Sequence, residues 1–371
     1  MDNNIHNIGG ELELYPINYS GLNNIIDNKR YYFSTSGRCA FNNLCTQIGV
    51  DSILVPSFIC PDFFEFIREI LNQVFIYRIL TDLSIDYYDV IEKVKKNNIR
   101  YILTIDYFGL VNHKNSIMHI KEEIPSLVVI QDLSHNCIQI LKGNFSILYG
   151  DYYFASLRKL LPVPDGGIYG GYNLISNASY IAYDTNQSII NEASKLIKGI
   201  YLTYPEYHTN DIESLYLQLS SLSKTLLDEC DKNKCISKVS YKILCSTDIN
   251  YVAHSRRKNY EYLRNLLYNY VNSYNLNLAS QLDDFSIPYM LPVLLDNKNE
   301  RDFVRDNLVK KGIYCSIIWN VESSLNLKNY SNISYIGNKI ICLPIDQRYN
   351  FDNMTIIYSE FINCIRRYNE H

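Results

Sequence analysis

Between Tyr31 and about Gly171 the apolar positions keep changing period. Short strand-type runs, among them "YYFST", "SILVPSF", "VFIYRIL", "RYILTIDYF", "LVVIQD", "DYYFASL" and "GIYGGY", alternate with stretches patterned at helical spacing. "GRCAFNNLCTQIG" is expected to open a helix at Gly37, and "DFFEFIREILN" to start one at an Asp cap. "IDYYDVIEKVKKNN" and "SIMHIKEEIP" read as the next helices. Strands that alternate with helical segments of about 10–15 residues predict an α/β fold, with a mostly parallel, seven-strand-type sheet covered by helices.

From Ser188 to Cys235 the text is helical, with Leu and Ile three and four residues apart, as in "IESLYLQLSSLSKTLLDEC". A second unit is expected from near Ser255. There "RRKNYEYLRNLLYNYV", "ERDFVRDNLVKKG" and "NMTIIYSEFINCIRR" read as helices, and "YMLPVLL", "YCSII" and "KIICLPI" as strands. The expected division is a large α/β domain over 1–250 and a small α+β domain over 251–371.

Composition narrows the classes. With 371 residues and a formal net charge of -4, the chain is long enough for two domains and has no basic footprint for nucleic acid. No apolar run reaches the roughly 20 residues of a membrane span, and "MDNNIHNIGGELEL" lacks the basic and apolar regions of a signal peptide. The ten cysteines form no C-x-x-C pair and the seven histidines no metal-type pair, which predicts reduced core thiols in a cytoplasmic protein and no metal site.

In open α/β sheets, ligands bind beyond the carboxyl ends of the strands. The first such end carries Ser36-Gly37-Arg38, a small-residue helix start whose free N–H groups suit an anion. The end of "LVVIQD" carries Asp132, then Ser134 and His135. The end of "DYYFAS" carries Ser156, then Lys159 and a turn to Gly166-Gly167. An anion cup, a buried carboxylate and a lysine are the three needs of pyridoxal 5'-phosphate: one for its phosphate, one for its ring nitrogen and one for its aldehyde. Singly, each feature has a plainer reading. Lys159 would be a solvated loop lysine, Asp132 a turn former and His135 a hydrogen-bonded structural histidine. Their joint order along the chain favours the cofactor.

The same segments resemble the DegT/DnrJ/StrS sugar aminotransferases, a family of fold-type I pyridoxal phosphate enzymes. "STSGRCAFNNLCTQIGVDSILVPSF" resembles the family's Ser-Gly-Thr helix start and its strand ending in Pro-Ser. "LTIDYFG" resembles its strand leading to an aromatic-Gly, and "VIQDLSH" its Glu-Asp-x-Ala-His segment. "SLRKLLPVPDGG" resembles its lysine loop. The likeness is carried from about Ser34 to Gly171. It implies that Lys159 carries the cofactor and moves the proton, and that Asp132 pairs with the ring nitrogen. It places His135 near the ring hydroxyl, and Ser36, Gly37 and Arg38 at the phosphate. It further implies a homodimer and an amino donor, expected to be glutamate. The expected acceptor is a nucleotide-linked keto-sugar, in surface polysaccharide or glycosylated-metabolite biosynthesis.

The chain also departs from the family. Arg38 replaces a Thr. Phe154 stands at the usual phosphate serine, so Ser156 is carried over from other fold-type I enzymes. The ring-stacking aromatic would fall at Cys60, which moves that role to Phe58 or Phe63. Arg158 is foreign to the pattern and marks a divergent substrate pocket. Two alternatives stay open: an aminotransferase acting on a small non-sugar ketone or aldehyde, and a non-catalytic descendant of the fold. "RRK" at 256–258 is expected to be an exposed helix start, with a phosphate contact as its lesser reading. No Gly-x-Gly-x-x-Gly marks a dinucleotide site, and Ser156-x-x-Lys159 lacks the partner motifs of a serine acyl-enzyme.

Overall fold

The structure is a computed structural model that describes residues 7–14, 30–174, 185–228, 235–274, 282–319 and 331–370. After β1 (Ile8–Gly9) come the seven strands of the main sheet: β2 (Tyr32–Ser34), β3 (Ser52–Pro56), β4 (Gln73–Tyr77), β5 (Tyr101–Ile105), β6 (Val128–Asp132), β7 (Tyr152–Ser156) and β8 (Gly167–Gly171). Their spatial order is β2-β8-β7-β6-β5-β3-β4. Strand β3 runs parallel to β4 and β5, whereas β8 is antiparallel to both its neighbours. Helices α1 (Gly37–Ile48), α2 (Pro61–Ile70), α3 (Tyr87–Asn97), α4 (Lys114–Glu123) and α5 (Cys137–Leu141) lie between these strands in sequence. The mostly parallel seven-stranded sheet expected from the hydrophobic pattern is the one found.

The chain continues through α6 (Asn186–Thr203), α7 (Asn210–Asp228), α8 (Lys238–Ser246) and α9 (Ile249–Tyr274). It ends with β9 (Leu291–Leu294), α10 (Lys298–Lys310), β10 (Ile313–Tyr314), α11 (Ser331–Lys339), β11 (Ile340–Leu343) and α12 (Phe351–Asn369). Part of the helical text read up to Cys235, residues 229–234, lies outside the described residues. By contacts the chain divides into two compact units, each assembled from separate stretches: Met1–Gly10, Asp51–Ile130 and Tyr251–His371 form the first, and Glu11–Val50 and Gln131–Asn250 the second.

Local chemistry sets the helix ends. The Ser36 hydroxyl accepts the Cys39 N–H at 3.1 Å to cap α1, and Gly49 closes it at φ 69°. The Asp cap expected for α2 is not there. Pro61, whose ring presets a helical φ, occupies the first turn after Cys60, and Asp62 sits inside that turn, where a negative charge still favours the helix dipole.

In the first unit, β9 and β11 pair antiparallel beneath α9, α10 and α12, and Leu263, Val293, Val304, Ile341, Met354 and Phe361 fill the core. Arg256 corrects the expectation for "RRK". It lies within α9, 1% exposed, and its Nε donates to Gln347 Oε1 at 2.8 Å while Nη1 donates to the Tyr289 carbonyl at 2.9 Å. A buried guanidinium needs such acceptors, and these bind two loops of the unit together.

The same unit holds an aromatic cluster. The Phe58 ring lies 5.5 Å from Tyr107 and 5.2 Å from Trp319, and the Tyr107 hydroxyl donates to the Phe58 carbonyl at 2.6 Å. His113 packs edge-on to Tyr107, with Nε2 3.1 Å from the Ile105 carbonyl. A carbonyl only accepts, so the neutral ring carries its hydrogen on Nε2. Burial pushes the His113 pKa down to about 4. Between the unfolded pKa of about 6.5 and that value, only the unfolded chain takes up the proton, so stability present above pH 6.5 is lost as pH falls through this window. Urea unfolding at pH 7 and pH 4 should therefore show a loss about 3 kcal/mol smaller in His113→Gln than in the parent chain. Equal losses in the two proteins would contradict the buried neutral assignment.

Candidate functional site

The second unit gathers the carboxyl ends of β2, β6 and β7. Strand β6 ends at Asp132, where the backbone turns so that the Ser134 N–H donates to Asp132 Oδ1 at 2.8 Å. The Ser134 hydroxyl then accepts the Ser156 N–H at 3.1 Å, which ties this turn to the end of β7. Ser156 leads into a single 3-10 turn, Leu157–Lys159, and Lys159 Nζ comes within 3.1 Å of His135 Nε2. Asp132, Ser134 and His135 are all buried, and Lys159 is half-buried.

The start of α1 closes against the same place. A Cβ on Gly37 would lie 2.9 Å from Ser156 Cβ, and one on Gly167 would lie 2.2 Å from the Ser36 carbonyl oxygen and 2.9 Å from the Gly37 nitrogen. Only glycine allows backbones this close. Gly166 adopts φ +126°, its N–H donates to the Thr35 carbonyl at 2.6 Å, and its carbonyl accepts the Leu157 N–H at 3.1 Å. Thr35 Oγ1 is buried with no hydrogen-bond partner among the described residues, and a hydroxyl can donate. Together with the N–H groups at the start of α1 it forms a set of donors that suits an oxygen-rich anion.

Burial shifts the two titrating groups toward neutrality. It pushes the Asp132 carboxyl up, against the pull of the Lys159 charge and the Ser134 hydrogen bonds. It pushes the His135 imidazole well down, and the positive Lys159 adds to this. His135 is thus a neutral acceptor for a Lys159 N–H.

A buried polar clamp, which sequence reasoning missed, holds the lysine loop. Asp165, fully buried, accepts from the Ser237 hydroxyl at 2.8 Å, and its N–H donates to Ser240 Oγ at 3.0 Å. The Pro164 carbonyl accepts from Asn191 Nδ2 at 2.5 Å and from Gln187 Nε2 at 3.4 Å. These partners lie 23 to 75 residues away in sequence, so spacing gives no signal of them. The one local clue is Ser237, which caps α8 through the Ser240 N–H at 3.3 Å.

The other candidates fall as follows. Arg38, half-buried, is the second residue of α1. Phe58 belongs to the first unit and its aromatic cluster, and Phe63 stacks on Phe66 there. The charge of Arg158 acts on Glu11, Asp165 and Lys195. Burial would raise the Glu11 carboxyl, but Lys195, Lys224 and Arg158 hold it at about 2. Among the described residues no cluster of His, Cys, Asp and Glu could hold a metal ion.

No family model matches the chain, and no curated protein sequence does. Solved structures do. Spr1654 from Streptococcus pneumoniae, named as a sugar aminotransferase, superposes in its PMP form with TM-score 0.62 at 12% identity, over 97% of this chain and 94% of its own. A DegT DnrJ EryC1 StrS aminotransferase from Brucella abortus gives 0.59 at 15% identity, over 90% and 85%. A 3-amino-5-hydroxybenzoic acid synthase gives 0.60 at 12% identity, over 93% and 89%. The fold of this chain is therefore theirs, the fold-type I architecture that the resemblance implied.

The glycine contacts make a direct prediction. Gly167→Ala must push the Ser36 carbonyl and the first turn of α1 away, which should cost about 1–3 kcal/mol in urea unfolding. An unchanged midpoint would contradict the close approach.

Proposed function

We propose that the chain is a pyridoxal phosphate-dependent aminotransferase. One observation carries the reading: the Lys159 amine, 3.1 Å from His135, shares a single unit with the buried Asp132 carboxyl and the glycine-walled start of α1. The residues fit the cofactor. The α1 N–H groups, Thr35 Oγ1 and Ser156 suit its phosphate, and Arg38 adds positive charge beside them. Asp132 suits its ring nitrogen. Lys159 suits its aldehyde. When bound, the cofactor supplies an electron sink for the bonds of a substrate's α-carbon.

The protein's own groups then do the following. Asp132, held by the Ser134 N–H, would face the ring nitrogen and hold a proton there; the positive charge would offset the burial that otherwise favours a neutral carboxyl. His135 accepts a hydrogen bond from Lys159 Nζ and so aims the amine. The Lys159 amine, oriented by His135, would carry the proton to and from a substrate's α-carbon. The clamp at Pro164 and Asp165 holds the loop that carries it.

The finer reading is that glutamate donates the amine and a nucleotide-linked keto-sugar accepts it, in a homodimeric cytoplasmic enzyme of surface polysaccharide or glycosylated-metabolite synthesis. Support comes from the family resemblance between Ser34 and Gly171 and from the name of the pneumococcal neighbour. A second reading, a non-sugar carbonyl acceptor, draws on the synthase neighbour, whose named product is an aminohydroxybenzoic acid.

Purified protein mixed with pyridoxal phosphate and reduced with borohydride should carry the reduced cofactor on the peptide containing Lys159. Lys159→Ala should lose this label, and amino transfer should fall by roughly 10³-fold or more. A label on another lysine, or none, would overturn the reading. Amino transfer from glutamate to nucleotide keto-sugars, set against simple keto acids and cyclic ketones, separates the two acceptors.

A further inference from the structure

Two neighbouring cations divide their surroundings. The charge of Lys159 acts on Asp132 and His135, whereas that of Arg158 acts on Glu11, Asp165 and Lys195. The backbone accounts for the split. Residues Leu157–Lys159 form a single 3-10 turn, in which adjacent side chains leave about 120° apart. With Lys159 Nζ 3.1 Å from His135 Nε2, the Arg158 side chain leaves the turn on another side. The Leu157 N–H donates to the Gly166 carbonyl at 3.1 Å, which sets the turn beside Asp165.

Glu11 arrives on a strap, residues 11–14, that is docked on α6 and α7. Lys195 Nζ donates to the Leu12 carbonyl at 2.6 Å, and the Leu14 N–H donates to the Lys195 carbonyl at 3.3 Å. Lys198 Nζ lies 3.5 Å from Glu13 Oε2. Glu11 itself takes Lys224 Nζ at 3.0 Å and the Ser220 hydroxyl at 3.3 Å. Gln187, Asn191 and Lys195 follow one another at four-residue steps, so one face of α6 holds both the Pro164 carbonyl and the strap.

The charges around Arg158 show what Glu11 does there. Lys195 is buried; Arg158 and Lys198 repel its ammonium, and Glu11 and Glu13 attract it. Two cations, Arg158 and Lys195, therefore share the Glu11 carboxylate, and without it they would face each other with like charge. Asp165, the other carboxyl that Arg158 acts on, is fixed by the Ser237 hydroxyl at 2.8 Å.

We propose that Arg158 is a positioning residue: Glu11 and Asp165 together hold its guanidinium, and the turn fixed in this way aims the Lys159 amine at His135. The inference rests on the cofactor reading of Lys159. It gives Arg158 a task other than the substrate contact expected from the sequence, and it makes the strap part of the site's support.

The rate at which pyridoxal phosphate becomes fixed to Lys159 of the full-length protein, trapped with borohydride at set times, tests it. Arg158→Gln and Glu11→Gln should each slow this labelling at least ~3-fold, and the double variant should be no slower than Arg158→Gln alone. Arg158→Lys, which keeps a cation, should recover part of the rate. In amino transfer, Arg158→Gln should lower kcat and leave both KM values within about twofold, because it removes no substrate contact. Far-UV circular dichroism checks folding; should Arg158→Gln unfold, Glu11→Gln, at a side chain 46% exposed, decides. Labelling at the parent rate in either folded single variant, additive losses in the double variant, or a raised KM in Arg158→Gln would overturn the proposal. A parent chain with no label on Lys159 would overturn the cofactor reading and this inference with it. A labelled parent with unaffected variants would overturn this inference alone.

Discussion

The backbone approach between Gly167 and the Ser36–Gly37 peptide is the constraint on which the candidate site depends. Here β8 returns to pair with β2 on one side and β7 on the other, so the end of the lysine loop lies against the start of α1. One side chain at 167 would part them. Because none is present, the N-terminal amides of α1, the end of β7 and the turn carrying Lys159 share one small volume of the second unit. Ser134 completes the join by linking Asp132 to Ser156.

Around that volume, polar groups are buried at some cost, and most of that cost is met by hydrogen bonds within the clamp. The Lys159 loop is held from outside by α6 and α8 through Gln187, Asn191, Ser237 and Ser240. Turning the polar face of α6 inward to make this clamp leaves its leucines and isoleucines outward. The clamp and the exposed apolar positions of α6 are therefore two consequences of one helix orientation.

Much of this was legible in the sequence, because it is written in local chemistry. Strand period, helix caps and the glycines at strand ends predicted the sheet and the order of Asp132, His135 and Lys159 along it. Where reading failed, the deciding partner was remote. The leucine spacing of α6 and α7 predicted helices, but which side of α6 turns inward was set by the distant Pro164 and Leu12 carbonyls, which take its polar side chains. Arg256 was expected at an exposed helix start. Its acceptors at Tyr289 and Gln347 lie 33 and 91 residues on and bury it. Asp62 looked like a cap, but the proline before it had already set the helix start.

The central claim is that Gly37, Asp132 and Lys159 form one cofactor site. A crystal structure of the protein grown with pyridoxal phosphate tests it most directly. The account predicts density continuous with Lys159 Nζ, the phosphate against the first amides of α1 and the ring nitrogen facing Asp132. Density for the cofactor at another lysine, or its ring nitrogen turned away from Asp132, would contradict it.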